Sequence, residues 1–271
     1  MKHTIGFIGG GQMGEALIRG LIDSGLYQAN AISVAEPNQE RRTYISDTYG
    51  IQGFANSEQL WKNSATILLA VKPQIMAKVL AASKDFVSPD HLIITIAAGL
   101  PISFYEQALG RDDCKIIRVM PNTPALILEA ASGFSGNKNT GPDDLLRCEE
   151  ILNKIGKSVP LDESLLDAVT GLSGSGPAYV FTFADAMIDA GIKAGLPRPT
   201  AETLALQTIL GSVKLLIESK KHPAELRAMV TSPGGTTIAA QHILERSGFK
   251  GIVMDAIEAA VNRSKELGKT D

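Results

Sequence analysis

Three glycines at fixed spacing carry the clearest chemistry in the chain. They lie in Thr4-Ile5-Gly6-Phe7-Ile8-Gly9-Gly10-Gly11-Gln12-Met13-Gly14, an apolar strand that breaks into G-x-G-x-x-G and runs on into the helical pattern of Glu15 to Ile22. Gly9 allows a tight turn, Gly11 has no side chain to hold a pyrophosphate off the backbone, and Gly14 lets the helix lie close to the sheet. The helix start adds N–H groups and a partial positive charge. The chemistry is dinucleotide binding, with Gln12 and Met13 on the same loop. The fingerprint is weak alone and informative here, because a strand precedes it and a helix follows.

Four other segments could do chemistry. Ala70-Val71-Lys72-Pro73 and Ala97-Ala98-Gly99 each end a presumed strand. In an open α/β sheet, ligands bind beyond the carboxyl ends of strands, where small residues let a cofactor approach the backbone. The plain readings are a strand stop at Ala97–Gly99 and a solvated lysine at Lys72. Met120-Pro121-Asn122-Thr123-Pro124 is a loop stiffened by two prolines, fit to line a site or only to connect. In the second half, Gly171–Tyr179 and Ser232-Pro233-Gly234-Gly235-Thr236-Thr237 both open helices. The latter gathers N–H groups and hydroxyls in a small volume, suited to a small carboxylate; equally, it reads as a helix start capped by Thr236 or Thr237. The four histidines fall in no metal-type spacing and no G-x-S-x-G elbow is present.

These residues need elements to position them. With 271 residues and 44% hydrophobic content there is room for one large domain or two modest ones. Strands are expected at Thr4–Ile8, Ile32–Ala35, Ala65–Val71, Leu92–Ile96 and Ile116–Met120, with helical patterns such as Met76–Ser83 and Ser103–Leu109 between them. That alternation predicts an α/β fold, an N-terminal Rossmann-type doubly wound parallel sheet over residues 1–163. Ala131–Ser135 and Ser158–Leu161 are expected as edge strands, with a helix near Leu145–Ile155. From about Leu165 only helical patterns remain, predicting an all-helical dimerisation domain over 164–271. Tyr179–Ala194 and Thr200–Ser219 are apolar on nearly every face, and such helices must be buried all round. So short a region cannot bury them alone, which predicts a homodimer or larger. Gly191, Gly195 and Gly211 are expected either to allow close helix crossing or to mark helix ends.

The net charge of -3 is nearly neutral and no basic block argues for nucleic acid, so no nucleic-acid partner is expected. Cys114 and Cys148 are isolated and suggest neither a disulfide framework nor zinc. No stretch reads as approaching the roughly 20 apolar residues of a membrane span. The expectation is a soluble cytoplasmic protein.

Taken in order, Phe7–Gly14, Ala70–Pro73, Ala97–Gly99, Met120–Pro124, Leu172–Tyr179 and Ser232–Thr237 resemble the pyrroline-5-carboxylate reductase family over essentially the whole length. The resemblance implies hydride transfer from NADPH or NADH to the imine carbon of 1-pyrroline-5-carboxylate, giving L-proline. It places the substrate carboxylate on Ser232–Thr237 and the ring nitrogen on Thr237. It puts Lys72 against the cofactor and Asn56 near the adenosine ribose. It also implies interlocked helical halves that build the substrate pocket, and dimers that often assemble into decamers.

Cofactor choice rests on other residues. Val34-Ala35-Glu36 ends the second strand, where an acid binds the ribose 2′-OH and disfavours a 2′-phosphate. Arg41 and Arg42 lie near enough in sequence to offset Glu36, and use of both cofactors is expected. Two rivals are a β-hydroxyacid dehydrogenase and a non-catalytic dinucleotide sensor. The dehydrogenases resemble this chain at Gly171, Gly174 and Gly176, but Val180 stands where their catalytic lysine would be.

Overall fold

The computed structural model describes residues 4–268. By compactness the chain forms two units, one of the residues up to Ser175 together with those from Ala260 onward, the other Gly176–Ala259.

The first unit is built on eight strands: β1 (Ile5–Ile8), β2 (Ile32–Ala35), β3 (Gln52–Phe54), β4 (Thr66–Leu69), β5 (Leu92–Thr95), β6 (Lys115–Met120), β7 (Ala130–Gly136) and β8 (Gly156–Pro160). Their order is β3-β2-β1-β4-β5-β6-β7-β8. The pairs from β3 through β6 are parallel, β7 runs antiparallel to β6, and β8 is parallel to β7. Thus β8 is an edge strand as expected, whereas β7 lies inside the sheet.

Among the described residues, seven α-helices lie wholly in this unit: α1 (Gln12–Asp23), α2 (Gln39–Tyr49), α3 (Glu58–Asn63), α4 (Pro73–Ala81), α5 (Ile102–Leu109), α6 (Pro142–Leu152) and the short α7 (Leu166–Val169). Alternate strand residues feed two cores. Ile5, Phe7, Val34, Leu68 and Ile94 pack with Leu17, Leu21 and Ile151 from α1 and α6. Ile8, Ala35, Ile67, Leu69 and Ile93 pack with Trp61, Met76, Leu80 and Tyr105 from α3, α4 and α5. Burial on both faces is why these strands read as unbroken apolar runs rather than alternating ones. Each fully buried Phe, Leu or Ile contributes about 1.5–3 kcal/mol.

The second unit holds α8 (Gly176–Lys193), α9 (Arg198–Ser219), α10 (Pro223–Met229), α11 (Thr236–Arg246) and the start of α12 (Phe249–Leu267). Helices α8 and α9 pack together. A Cβ on Gly191 would lie 3.0 Å from that of Ala201, so this glycine serves the helix crossing. Gly195 has φ +99° and ends α8. Gly211 lies inside α9 and so marks no helix end, and within the single chain a Cβ there would meet nothing within 4 Å. Within the chain the apolar faces stay open: Phe181 is 66% exposed, Leu210 49% and Ile217 69%.

One expectation about the apolar stretches is changed by the structure. Helix α9 is 22 residues long and, by length and composition alone, apolar enough to cross a membrane, against the expectation that no stretch comes near this. By compactness residues 164–175, grouped from sequence with the helical half, cluster with the first unit, where α7 packs on β6 and β7.

Candidate active site

The carboxyl ends of β2, β1, β4 and β5 sit side by side. Gly9 N–H donates to Ala35 O at 2.9 Å, Ala70 N–H to Ile8 O at 2.8 Å and Ile96 N–H to Leu69 O at 3.2 Å. These bonds bring the glycine loop, Ala70 and the segment leading to Ala97–Gly99 to one rim, at the point where strand order reverses.

Each glycine of the fingerprint meets a distinct geometric demand. Gly9 has φ +103°, and a Cβ there would lie 2.7 Å from Ala70 O. A Cβ on Gly14 would lie 2.7 Å from Gly9 O, so only glycine lets α1 start this close to β1. At Gly11 a Cβ would meet nothing within 4 Å, leaving open space above the start of α1. Gly11 is also the N-cap of α1, and no side chain caps that turn. Its first N–H groups therefore face a volume a pyrophosphate can enter. The residues fit a dinucleotide. Gln12 is exposed and Met13 half-buried on the same turn.

The next shell was not legible in the sequence. Glu36 accepts from Gly10 N–H through Oε2 at 2.9 Å and from Asn38 N–H through Oε1 at 3.0 Å. Arg41 Nε donates to Gly10 O at 2.6 Å, and its guanidinium pairs with Glu15. The Gly10 peptide is thus held at both ends. Tyr49 and Tyr44 also donate to Glu15, at 2.9 and 3.2 Å. Burial works to raise the Glu15 carboxyl, but the bonds from Arg41, Tyr49 and Tyr44 outweigh it and hold the group below the usual carboxylate range. For Tyr49, burial and the Glu15 carboxylate push the phenol up to about 12. The one available signal was an acid in the first turn of α1 and an arginine after β2, too far apart in sequence to connect.

Other expected residues are placed as follows. Lys72 is exposed and is the N-cap of α4, with Pro73 at its first position and no side-chain cap. Asn56 is exposed and its Oδ1 accepts from Glu58 N–H at 3.3 Å, at the start of α3. Pro73, Ala98 and Gly99 line a cavity of about 610 Å³ with Thr170, Ser175 and Arg263; the lining does not include Lys72, Val71 or Ala97. Asn122 donates to Ser173 O at 3.1 Å and accepts from Ala131 N–H at 2.9 Å, which braces the 120–124 loop.

Thr170–Gly174 forms a π-turn closed by Ser175 N–H to Thr170 O at 2.8 Å. A Cβ on Gly174 would lie 2.5 Å from Met120 Cε, so a side chain there would make the flexible end of Met120 shift. Beneath it, the buried Arg118 pairs with Glu163 at 3.0 Å, and Glu163 also accepts from Ile102 N–H at 2.8 Å. A lone charge in the apolar run Ile116–Met120 was the sequence sign of this bridge.

In the second unit, Ser232–Thr237 turns into α11. Gly234 has φ +67°, and Gly235 N–H donates to Ser232 O at 3.1 Å. The N-cap is Gly235, not Thr236 or Thr237, and no side chain caps the turn. Thr236 and Thr237 are its first two helical residues, the former exposed and the latter half-buried. A groove of about 850 Å³ runs past Gly234 and Gly235, bounded by Arg227, Ile238 and His242.

A Rossmann sheet with an uncapped glycine cradle at its switch point, followed by a helical unit with open apolar faces, defines a dinucleotide-dependent protein of the two-part dehydrogenase class. The chain is 44% identical to the pyrroline-5-carboxylate reductase of Methanosarcina acetivorans, over 99% of each chain. Residues 163–267 match the family described as pyrroline-5-carboxylate reductase dimerisation, and residues 4–99 that of the coenzyme F420-dependent NADP oxidoreductases. The chain belongs to the pyrroline-5-carboxylate reductase family. Among solved structures it is similar to a pyrroline-5-carboxylate reductase from Coxiella burnetii, with TM-score 0.95, 34% identity and 100% of both chains covered. It is also similar to the Plasmodium falciparum pyrroline carboxylate reductase with NADP bound, with TM-score 0.87, 36% identity and 98% of both chains covered.

Proposed function

We propose that the chain reduces 1-pyrroline-5-carboxylate to L-proline with NAD(P)H, the last step of proline synthesis. The observation that carries the reading is the 44% identity to a reductase of that name along 99% of the chain, which takes in both the glycine cradle and the Ser232–Thr237 turn. That a relative holds NADP supports the cofactor class.

The dinucleotide would be held by the loop from Gly9 to Gly14, by Glu36 and Asn56 toward the adenosine ribose, and by Ala70–Pro73 and Ala97–Gly99 toward the nicotinamide. When bound it supplies the hydride. The substrate is a ring imine with one carboxylate. As an iminium its carbon already accepts hydride, so the protein has to place it rather than acidify it. We assign the carboxylate to Ser232, Pro233, Gly234, Gly235, Thr236 and Thr237, where the uncapped turn offers N–H groups. Thr237 would hydrogen-bond the ring nitrogen, and Lys72 would contact the cofactor. The dimerisation region and the open faces of α8 and α9 support subunits paired through the helical unit. In this reading the pairs assemble into decamers in the cytoplasm, with no nucleic-acid or membrane partner.

Oxidation of NAD(P)H by pyrroline-5-carboxylate, followed on wild type and Thr237→Ala, tests the assignment. The variant is expected to lose about 10- to 100-fold in kcat/KM, about 1.4–2.7 kcal/mol of transition-state stabilisation. Unchanged kinetics would remove Thr237 from the site. A protein that binds NAD(P)H yet never oxidises it with this imine would be a sensor. Appreciable oxidation of 3-hydroxyisobutyrate would mark a β-hydroxyacid dehydrogenase instead, although Val180 cannot move a proton.

A further inference from the structure

We infer that this chain binds NADH in preference to NADPH, and that Glu36 sets the preference. The inference rests on reading the glycine loop as the dinucleotide cradle.

Glu36 follows β2 at the rim where an acid accepts from the ribose 2′-OH and repels a 2′-phosphate. Its carboxylate is half-buried and fixed, with one oxygen on Gly10 N–H at 2.9 Å and the other on Asn38 N–H at 3.0 Å. It cannot swing away without giving up both bonds. A 2′-phosphate beside it would bring about two more negative charges against a charge that is partly withdrawn from water.

NADPH would need a cation to offset that repulsion, and the two arginines nearby are already engaged. Arg41 is paired with Glu15, donates to Gly10 O at 2.6 Å and lies over the Tyr44 ring at 5.1 Å. Arg42 donates to the backbone oxygens of Glu36 at 2.7 Å and Pro37 at 3.3 Å. Turning Arg41 toward a phosphate would leave the Glu15 carboxylate and the Gly10 carbonyl without it. Sequence proximity alone made Arg41 and Arg42 look free to oppose Glu36; their bonds tie them to holding the loop.

The test is direct binding of NADH and of NADPH, read from the fluorescence of the dihydronicotinamide with no imine present. Wild type is expected to bind NADH at least about tenfold more tightly, about 1.4 kcal/mol. Glu36→Gln keeps an acceptor for the Gly10 amide and removes the charge, and is expected to shrink the ratio by about threefold or more. Equal or tighter binding of NADPH by wild type overturns the inference, as does a ratio unmoved in Glu36→Gln. Should the variant fail to fold, displacement of NADH from wild type by 5′-AMP and by adenosine 2′,5′-bisphosphate reads the same contact. Weaker displacement by the bisphosphate is expected, and equal or stronger displacement overturns the inference. A preference for NADH without turnover of the imine supports this inference while sinking the proposed reaction. Failure to bind either dinucleotide sinks both.

Discussion

Gly9 and Gly11 are two positions apart and make opposite demands on a methyl group. At Gly9 a side chain would meet the Ala70 carbonyl in a backbone conformation that L residues avoid. At Gly11, with φ -67°, the backbone is ordinary and the space is open. Gly9→Ala is therefore expected to lower stability by about 1–3 kcal/mol. Gly11→Ala should fold within about 0.5 kcal/mol of wild type and still lose about tenfold or more in dinucleotide affinity. Urea unfolding and a cofactor titration on the two variants check this, and wild-type affinity in Gly11→Ala would remove the loop from the pyrophosphate. The glycine spacing was readable because it answers to local geometry. The clamp on Gly10 was not, since Glu15, Glu36 and Arg41 come from two helices and a strand end, and only the fold makes them neighbours.

Helix α2 shows how an element can escape sequence reading. It buries only Ile45, so it has no apolar stripe to detect. It is held instead by Asn38, whose side chain accepts from Arg41 N–H at 2.9 Å, and by the bonds of Arg41, Tyr44 and Tyr49 to Glu15 on α1. The three-residue β3 and six-residue α3 are likewise too short to carry a period. By contrast Ile32–Ala35 and Leu92–Thr95 are apolar runs bounded by polar turns, and were legible within a residue. The Glu15 cluster makes a pH prediction. Its carboxyl is depressed in the folded state, so the stability it adds is present above the ordinary carboxylate value of about 4.3 and is lost as pH falls below it. Glu15→Gln should cost about 1–2 kcal/mol at neutral pH, and its urea midpoint should fall less steeply than that of wild type between about pH 5 and 3. Parallel curves would show that the cluster is not what joins α1 to α2.

At the scale of the whole molecule, the apolar faces of α8 and α9 have no partner within their own unit large enough to cover them. Leu210→Glu places a charge on such a face, 49% exposed in the single chain. It should leave helix content unchanged by circular dichroism and lower the mass by light scattering below that of wild type. Turnover should fall by about tenfold or more if paired subunits build the substrate pocket. A mass unchanged from wild type in this variant would place the subunit contact elsewhere. The helical half was legible as helical, but its partner was visible only as an excess of apolar surface. Helix α12 has a consequence of another kind, because its last turns belong to the first unit and Ser264 Oγ donates there to Asp167 at 2.6 Å. The nucleotide-binding unit is therefore discontinuous in the chain, interrupted by residues 176–259. At about 5–20 residues per second on the ribosome, its closing segment is made roughly 4–17 s after Ser175. Until then Asp167 on α7 has to wait without the Ser264 hydroxyl, and an expression fragment that stops at residue 175 would reproduce that waiting state rather than the finished unit.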